Sequence, residues 1–231
     1  MKDKKELIII GDSAFAQIAY EYFSSNPEYI VVAFSVERAF LRNQTLFGLP
    51  VVAFEDLEKV FDPSAFKVFV AITYTQLNRV RTRLYKEARR KGFEVVSYIS
   101  PAAFVWKNVT IGENCFIFEN NVIQPFVKIG NNVILWSGNH IGHHSVIHDN
   151  VFIASHVVVS GFVEVGENCF LGVNSTIANN VKIAEDCVIG AGSLISRDTD
   201  KGTVYKGNVP IISKRTSFEV FNVKEEENEM D

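Results

Sequence analysis

The segment Val151 to Ile195, VFIASHVVVSGFVEVGENCFLGVNSTIANNVKIAEDCVIGAGSLI, carries an aliphatic residue at every sixth position: Ile153, Val159, Val165, Leu171, Ile177, Ile183, Ile189 and Ile195. Stepping backwards in the same phase gives Ile147, Ile141, Leu135, Ile129, Ile123, Ile117, Ile111 and Val105, so sixteen consecutive sites obey the rule. A fixed short period of this kind marks a repeat architecture. The position two residues earlier favours small or β-branched side chains, as at Val109, Cys115, Val127, Ser145, Val157, Cys169, Ser175 and Cys187. One wide and one narrow inward position per hexad is what a triangular prism of short strands needs, the large aliphatic filling the axis and the smaller residue pointing inward beside it. Glycine follows the aliphatic at Gly112, Gly130, Gly142, Gly166, Gly172 and Gly190, with pairs such as Asn131-Asn132, Asp149-Asn150 and Asn179-Asn180 close behind. These read as corner residues that tolerate positive φ. A β-sandwich would alternate at period two and lose phase at its loops, which argues against it here.

This pattern resembles the hexapeptide-repeat acyltransferases over about Val105 to Ile195. The resemblance implies an all-β left-handed parallel β-helix with three hexads per coil. The three cysteines, Cys115, Cys169 and Cys187, all fall at the narrow inward position and form no CxxC pair, so they read as reduced packing residues in neither a zinc site nor a disulfide framework.

Before Val105 the periodicity changes to strands alternating with helices, the mark of a separate α/β domain. Strands are expected at Leu7–Gly11, Tyr29–Ser35, Lys67–Ile72 and Glu94–Ile99, and helices at Ser13–Ser25, Phe54–Val60 and Leu77–Lys91. The last helix is basic and amphipathic and reads as a solvated face. The chain divides on this reading into a Rossmann-like domain at 1–100, the β-helix at 101–215 and a charged tail at 216–231. The tail ends in KEEENEMD, too charged to bury and expected to be disordered.

The whole chain has 231 residues, 47% of them hydrophobic, and a formal net charge of −4. That balance offers no footprint for nucleic acid or an anionic membrane. No apolar run approaches the roughly 20 residues that span a bilayer, and a cytoplasmic location is expected.

All five histidines fall between His140 and His156. In NHIGHHSVIH the inward aliphatics are Ile141 and Ile147, so His143 and His144 stand at a corner where side chains project outward. His140, His148 and His156 are expected to line the same cleft. Acyl transfer from a thioester to an amine needs a base for the attacking nitrogen, donors for the oxyanion and a channel for the carrier. Histidine, with an ordinary pKa of about 6.5, suits the first role.

SGNHIGHHS is similar to the signature of the nucleotide-sugar acyltransferases of the PglD and NeuD type. The resemblance places His143 as the catalytic histidine and His144 where the family carries an acidic residue that orients it. It implies acetyl-coenzyme A as co-substrate, held near His156 by a groove of Gly161, Gly172, Gly190 and Ala191, with Lys206 or Lys214 at a coenzyme phosphate. A family histidine that contacts the carrier is replaced by Phe152. KGNVP, Lys206 to Pro210, is similar to the family's closing GVP segment, interrupted by Asn208.

The first turn of the N-terminal domain, GDSAFA from Gly11 to Ala16, is not the G-x-G-x-x-G of a dinucleotide site, which argues against NAD. In the resembling family this turn binds nucleotide-sugar phosphates at a helix N-terminus, which points to Gly11, Asp12 and Ser13, and Glu37 is the nearest match to the acidic residues that meet the base. The expected reaction is N-acetylation of a nucleotide-linked amino-deoxysugar by a homotrimer, without metal, nucleic acid or membrane as partner. O-acetylation of a sialic-acid-type sugar is the alternative. A zinc site using His143 and His148, and a non-catalytic scaffold, are weaker readings.

Overall fold

The computed structural model describes residues 4–207 and 212–222. The N-terminal domain is a six-stranded sheet in the order β3-β4-β2-β1-β5-β6, where β1 is Lys5–Ile10, β2 Tyr29–Val36, β3 Thr45–Leu46, β4 Leu49–Ala53, β5 Lys67–Val70 and β6 Glu94–Val95. All pairs are parallel except β3 with β4. Leu7, Ile8, Ile9 and Ile10 are all buried, as a central strand covered on both faces must be. Helix α1 (Ala14–Ser25) buries Phe15, Ala16, Ala19 and Phe23. Helix α2 is a single turn (Leu57–Val60). Helix α3 (Arg79–Arg90) buries Arg81, Leu84, Tyr85 and Ala88 and turns the rest of its basic surface outward, as expected of a solvated face. Strand β1 lies between β2 and β5, so the chain reverses its direction of travel across the sheet there.

The β-helix follows as three parallel sheets whose strands are two residues long and whose neighbours, up to Ile195, are eighteen residues apart, as in the ladder Phe116, Ile134, Phe152, Phe170. The axis is filled by the aliphatics and the narrow-position residues, Cys115, Cys169 and Cys187 among them. Burial pushes the thiols of Cys115 and Cys169 up to about 12, as expected of inert packing residues.

The three faces differ in outward chemistry. One, running from Tyr98–Ile99 to Val204–Tyr205, is the docking surface of the N-terminal domain. Phe15, Phe23 and Phe69 meet Tyr98 and Phe116 there, with Phe116 5.5 Å from Phe15 and 4.8 Å from Tyr98 between ring centroids. Each such fully buried aromatic contributes roughly 1.5–3 kcal/mol. The second face presents Phe104, Val122, His140, Val158, Thr176 and Leu194, and four of these are exposed hydrophobics. The third presents Thr110, Lys128, Val146, Glu164 and Lys182 and is polar.

Corner geometry corrects one expectation. Positive φ recurs at every sixth residue from Asn114 to Gly192, through Asn120, Phe126, Asn132, Gly138, His144, Asn150, His156, Phe162, Asn168, Asn174, Asn180 and Asp186. The glycines that follow the aliphatics are not at positive φ; they are needed because coils approach closely. A Cβ on Gly142 would lie 2.5 Å from the Ser160 carbonyl carbon in the next coil.

Three further details differ from expectation. The run EVVSYI is split: Glu94–Val95 closes the first sheet while Tyr98–Ile99 pairs with Phe116–Ile117, so the β-helix begins before residue 101. The hairpin of β3 and β4 was not anticipated, and Val204–Tyr205 extends the docking face beyond Ile195. A short helix α4 (Ser217–Phe221) has a capping box from Thr216 and Glu219. The expectations for KEEENEMD, and for KGNVP from Asn208 onward, fall outside the described residues. No helix among the described residues is long and apolar enough to cross a membrane.

Candidate active site

The five histidines, adjacent in sequence, are dispersed around one coil. His140 lies on the apolar face, His143 and His144 on the edge between the apolar and polar faces, His148 on the edge between the polar and docking faces, and His156 on the edge between the docking and apolar faces. The expected common cleft for His140, His148 and His156 therefore does not form within one chain. His148 is bonded to Glu164 at 2.9 Å, and that bond, ahead of Lys182, holds the Glu164 carboxyl below its usual range. The spacing of His143 and His148 had suggested a metal pair, yet they stand on different edges. Among the described residues no group of three or more His, Cys, Asp or Glu is arranged to hold a metal ion.

His143 and His144 are brought together, with Nδ1 to Nδ1 3.2 Å apart and both side chains exposed. The backbone N–H of His143 donates to Gln124 Oε1 at 2.9 Å, which pins the corner to the coil below. Gly161, expected in the coenzyme groove, lies against the His143 ring: a Cβ there would sit 2.8 Å from Cε1 and 3.0 Å from Nε2. The ring of His144 stacks on Phe126 at 4.5 Å and on Phe162 at 4.8 Å. These three aromatic residues occupy the left-handed position, where a side chain other than Gly, Asn or Asp costs roughly 1–2 kcal/mol. The period of six could have revealed Phe126 and Phe162, since they interrupt a column otherwise rich in Asn.

The other residues expected at the coenzyme, His156, Gly172, Gly190, Ala191 and Lys206, run along the edge between the docking and apolar faces. His156 packs over Gly138, which no motif marks, and a Cβ at Gly138 would meet its ring at 2.7 Å. Gly172 and Gly190 have a packing role of their own, because their Cβ atoms would strike the backbone of the next coil at 2.7 and 2.4 Å. Lys214 is exposed beyond the last coil. Phe152, which replaces the family's carrier-binding histidine, is buried on the docking face under Tyr74, 5.1 Å between ring centroids.

In the N-terminal domain, Gly11, Asp12, Ser13 and Glu37 all line one cleft of about 330 Å³ at the carboxyl ends of β1, β2 and β5. This is the crevice where open α/β sheets bind ligands. Gly11 has φ +129°, and a Cβ on it would lie 2.8 Å from the Ala71 carbonyl oxygen. Ser13 caps α1 by position but its hydroxyl makes no capping bond, and no acidic residue lies in the first helical turn, so the positive end of the helix is open to an anion. Glu37 is gripped by Arg83 through two bonds of 2.9 Å. Exposed Phe40 and the buried hydroxyl of Ser35, which has no hydrogen-bond partner among the described residues, complete the lining.

Thr73 belongs both to this cleft and to an aromatic groove of about 370 Å³ formed with Tyr74, Trp136, Phe152, Phe170 and Ser155. The loop that carries Thr73 has three successive residues at positive φ, Gln76, Leu77 and Asn78. It is held there by Asn78, whose amide donates to the carbonyls of Asn168 and Cys169, and by Arg81. Fully buried Arg81 donates to the carbonyls of Thr73 and Asn150 and to Asn132 Oδ1, at 2.5, 3.0 and 3.1 Å, and burial pulls its guanidinium down to about 9. No motif announced this residue.

Comparison with known proteins places these features. The family model "Bacterial transferase hexapeptide (six repeats)" matches residues 108–143, 126–161 and 162–197. No curated protein matches the chain by sequence. Among solved structures, a histidine-to-asparagine mutant of perosamine N-acetyltransferase from Caulobacter crescentus, in complex with CoA and GDP-perosamine, is 27% identical with a TM-score of 0.80, covering 87% of this chain and 93% of that one. The acetyltransferase domain of PglB from Neisseria gonorrhoeae FA1090 shares the fold at 23% identity and TM-score 0.80, covering 88% and 97%. WeeI from Acinetobacter baumannii AYE shares it at 18% and 0.68, covering 88% and 97%. With its sixteen-hexad prism and an N-terminal sheet docked on one face, the chain is a hexapeptide-repeat, left-handed β-helix protein that shares its overall plan with these sugar acetyltransferases.

Proposed function

We propose that the protein transfers an acetyl group from acetyl-coenzyme A to the amino group of a nucleotide-linked amino-deoxysugar, acting in the cytoplasm as a homotrimer with His143 as general base. The observation that carries the reading is the exposed His143–His144 pair seated on Gly161, at the border of an unpartnered apolar face. The 27% identical perosamine N-acetyltransferase, solved with CoA and GDP-perosamine, supports the substrate class.

The prism itself argues for a site shared between chains. The N-terminal domain covers one face, and His143 stands on the edge opposite that face. A nucleotide held in the Gly11–Glu37 cleft is therefore remote from its own chain's His143, and the amine is delivered to the His143 of a neighbour. Packing of the apolar faces around a threefold axis would bury Phe104, Val122, Val158 and Leu194 and set one chain's His143 edge beside another's His156 edge. The coenzyme would then run along His156, Gly172, Gly190 and Ala191, with Lys206 at a phosphate. His143 accepts a proton from the attacking nitrogen as the C–N bond forms, and the proton passes to the thiolate released when the C–S bond breaks.

A panel of nucleotide-linked amino sugars and their hydroxyl analogues, incubated with acetyl-coenzyme A and followed by release of free thiol, tests donor, acceptor and reaction class together. Turnover of the amine alone supports the reading; turnover of the hydroxyl alone replaces it with O-acetylation. His143→Ala is expected to lower kcat by about 10²- to 10⁴-fold with coenzyme binding nearly unchanged. A light-scattering mass that stayed at one 25.9 kDa chain across concentrations would remove the shared site.

A further inference from the structure

We propose that Phe126 and Phe162 are positioning residues for acyl transfer: they clamp the imidazole of His144 so that it shares a single proton with His143 and holds the His143 ring in its working orientation. This rests on the reading of His143 as the base.

The corner position occupied by Phe126, His144 and Phe162 is left-handed in every coil from Asn114 to Gly192, and nearly everywhere else it is Asn, Asp or Gly. Phenylalanine gains nothing locally from that backbone. Burial does not explain its presence either, because Phe126 is 55% and Phe162 53% exposed. What the two rings do is sandwich His144, at 4.5 Å and 27° on one side and 4.8 Å and 18° on the other. Phe162 also meets His143 edge-on at 5.1 Å. Two π faces fix the plane of an imidazole that the outward corner would otherwise leave free to rotate.

Fixing that plane matters because of the 3.2 Å Nδ1···Nδ1 contact. Such a contact is a hydrogen bond only when one nitrogen carries a proton and the other a lone pair. With the proton on His143 Nδ1, its Nε2 is bare and able to accept from the substrate amine. After that transfer the imidazolium still donates through Nδ1 to neutral His144, and the proton at Nε2 leaves to the departing thiolate. A carboxylate in place of His144 would accept from either oxygen, whereas one imidazole nitrogen accepts in one direction only. The aromatic clamp supplies that direction.

Phe126→Asn and Phe162→Asn test this, because Asn is what neighbouring coils carry at the same backbone angle. Each variant should keep or raise Tm, keep its mass in solution and keep KM for both substrates within about twofold, while kcat falls roughly 10-fold. In a His144→Ala background the same substitutions should cost nothing further, since the group they orient is gone. In a His144→Glu background they should also be nearly neutral. The ¹⁵N imidazole spectrum should show the shared Nδ1 proton broadened by exchange with solvent in the Asn variants.

Unchanged kcat overturns the proposal, as does a loss that persists in the His144→Ala background. A rise in KM for acetyl-coenzyme A with normal kcat overturns it by making the rings a donor contact, and dissociation of the assembly overturns it by making them an interface. Failure of the underlying reading looks different: His143→Ala itself would then retain near-normal kcat.

Discussion

At the edge beneath the N-terminal domain, the left-handed corner position holds Asn114, Asn132, Asn150, Asn168 and Asp186; at the edge facing away from that domain it holds Phe126, His144, Phe162 and Asn180. The backbone is the same in both columns. Under the domain the side chains form a ladder, Asn114 donating to Asn132 at 2.7 Å and Asn132 to Asn150 at 2.8 Å, and Arg81 is set into it. Asn114, Asn132 and Asn150 are buried there and bonded to other protein groups, which is the requirement of a permanent joint. On the far edge the rings are exposed and the imidazoles keep nitrogens free for something outside the chain. A column that follows the local rule is structural, and one that breaks it at an energetic cost marks where the molecule works.

The largest expected effect comes from breaking the joint. Arg81→Met keeps the volume but leaves the carbonyls of Thr73 and Asn150 without their Arg81 donor and Asn132 Oδ1 with Asn114 alone, at a cost of about 3 kcal/mol. Calorimetry should show the fall in Tm, and KM for the nucleotide sugar should rise because Thr73 lines its cleft. A smaller energy with a sharper readout is expected at the working edge. Gly161→Ala forces the His143 ring from its seat, lowering kcat roughly 10- to 100-fold while the melting curve hardly moves.

Least of all is expected at Glu119, on the third edge, where Ser137 of the next coil and Tyr22 from across the domain boundary both donate to the carboxylate, at 2.5 and 2.7 Å. Partial burial opposes ionisation, but the two bonds outweigh it and hold the carboxyl below its usual range; burial and Glu119 push the Tyr22 phenol up to about 12. The stabilisation is present at neutral pH and is lost as pH falls through the lowered value. Glu119→Gln should therefore flatten the acidic limb of a Tm-against-pH curve by less than about 1 kcal/mol, given the exposure of the pair.

Much of this was legible in the chain. The six-residue period reports a one-dimensional fold directly, because each coil contacts only its neighbours. That the first turn and Glu37 share one cleft was legible because strands followed at once by helices in an open α/β sheet leave a crevice at their carboxyl ends, and Gly11, Asp12, Ser13 and Glu37 all line it. The histidines misled in one respect. His140 to His156 spans almost a full eighteen-residue coil, so neighbours in sequence are carried to all three edges. Arg81 was illegible because its function depends on how two domains dock, and that information is divided between Asn132 and Asn150 on one side and a helix on the other. The run EVVSYI gave no sign that its two halves join different sheets, since both environments ask for the same buried β-branched and aromatic residues.

The eighteen-residue ladder behaves as a reading frame. Any residue number in the prism from Tyr98 to Ile195, taken modulo eighteen, names the edge or face on which its side chain emerges. Loss or gain of a whole coil leaves all downstream columns in phase, whereas loss of a single residue moves every later aliphatic off the axis. Insertions compatible with the fold are confined to the corners. Length variation in relatives of this chain should accordingly come in whole turns or in corner loops, and His143 fixes the coil against which both are counted.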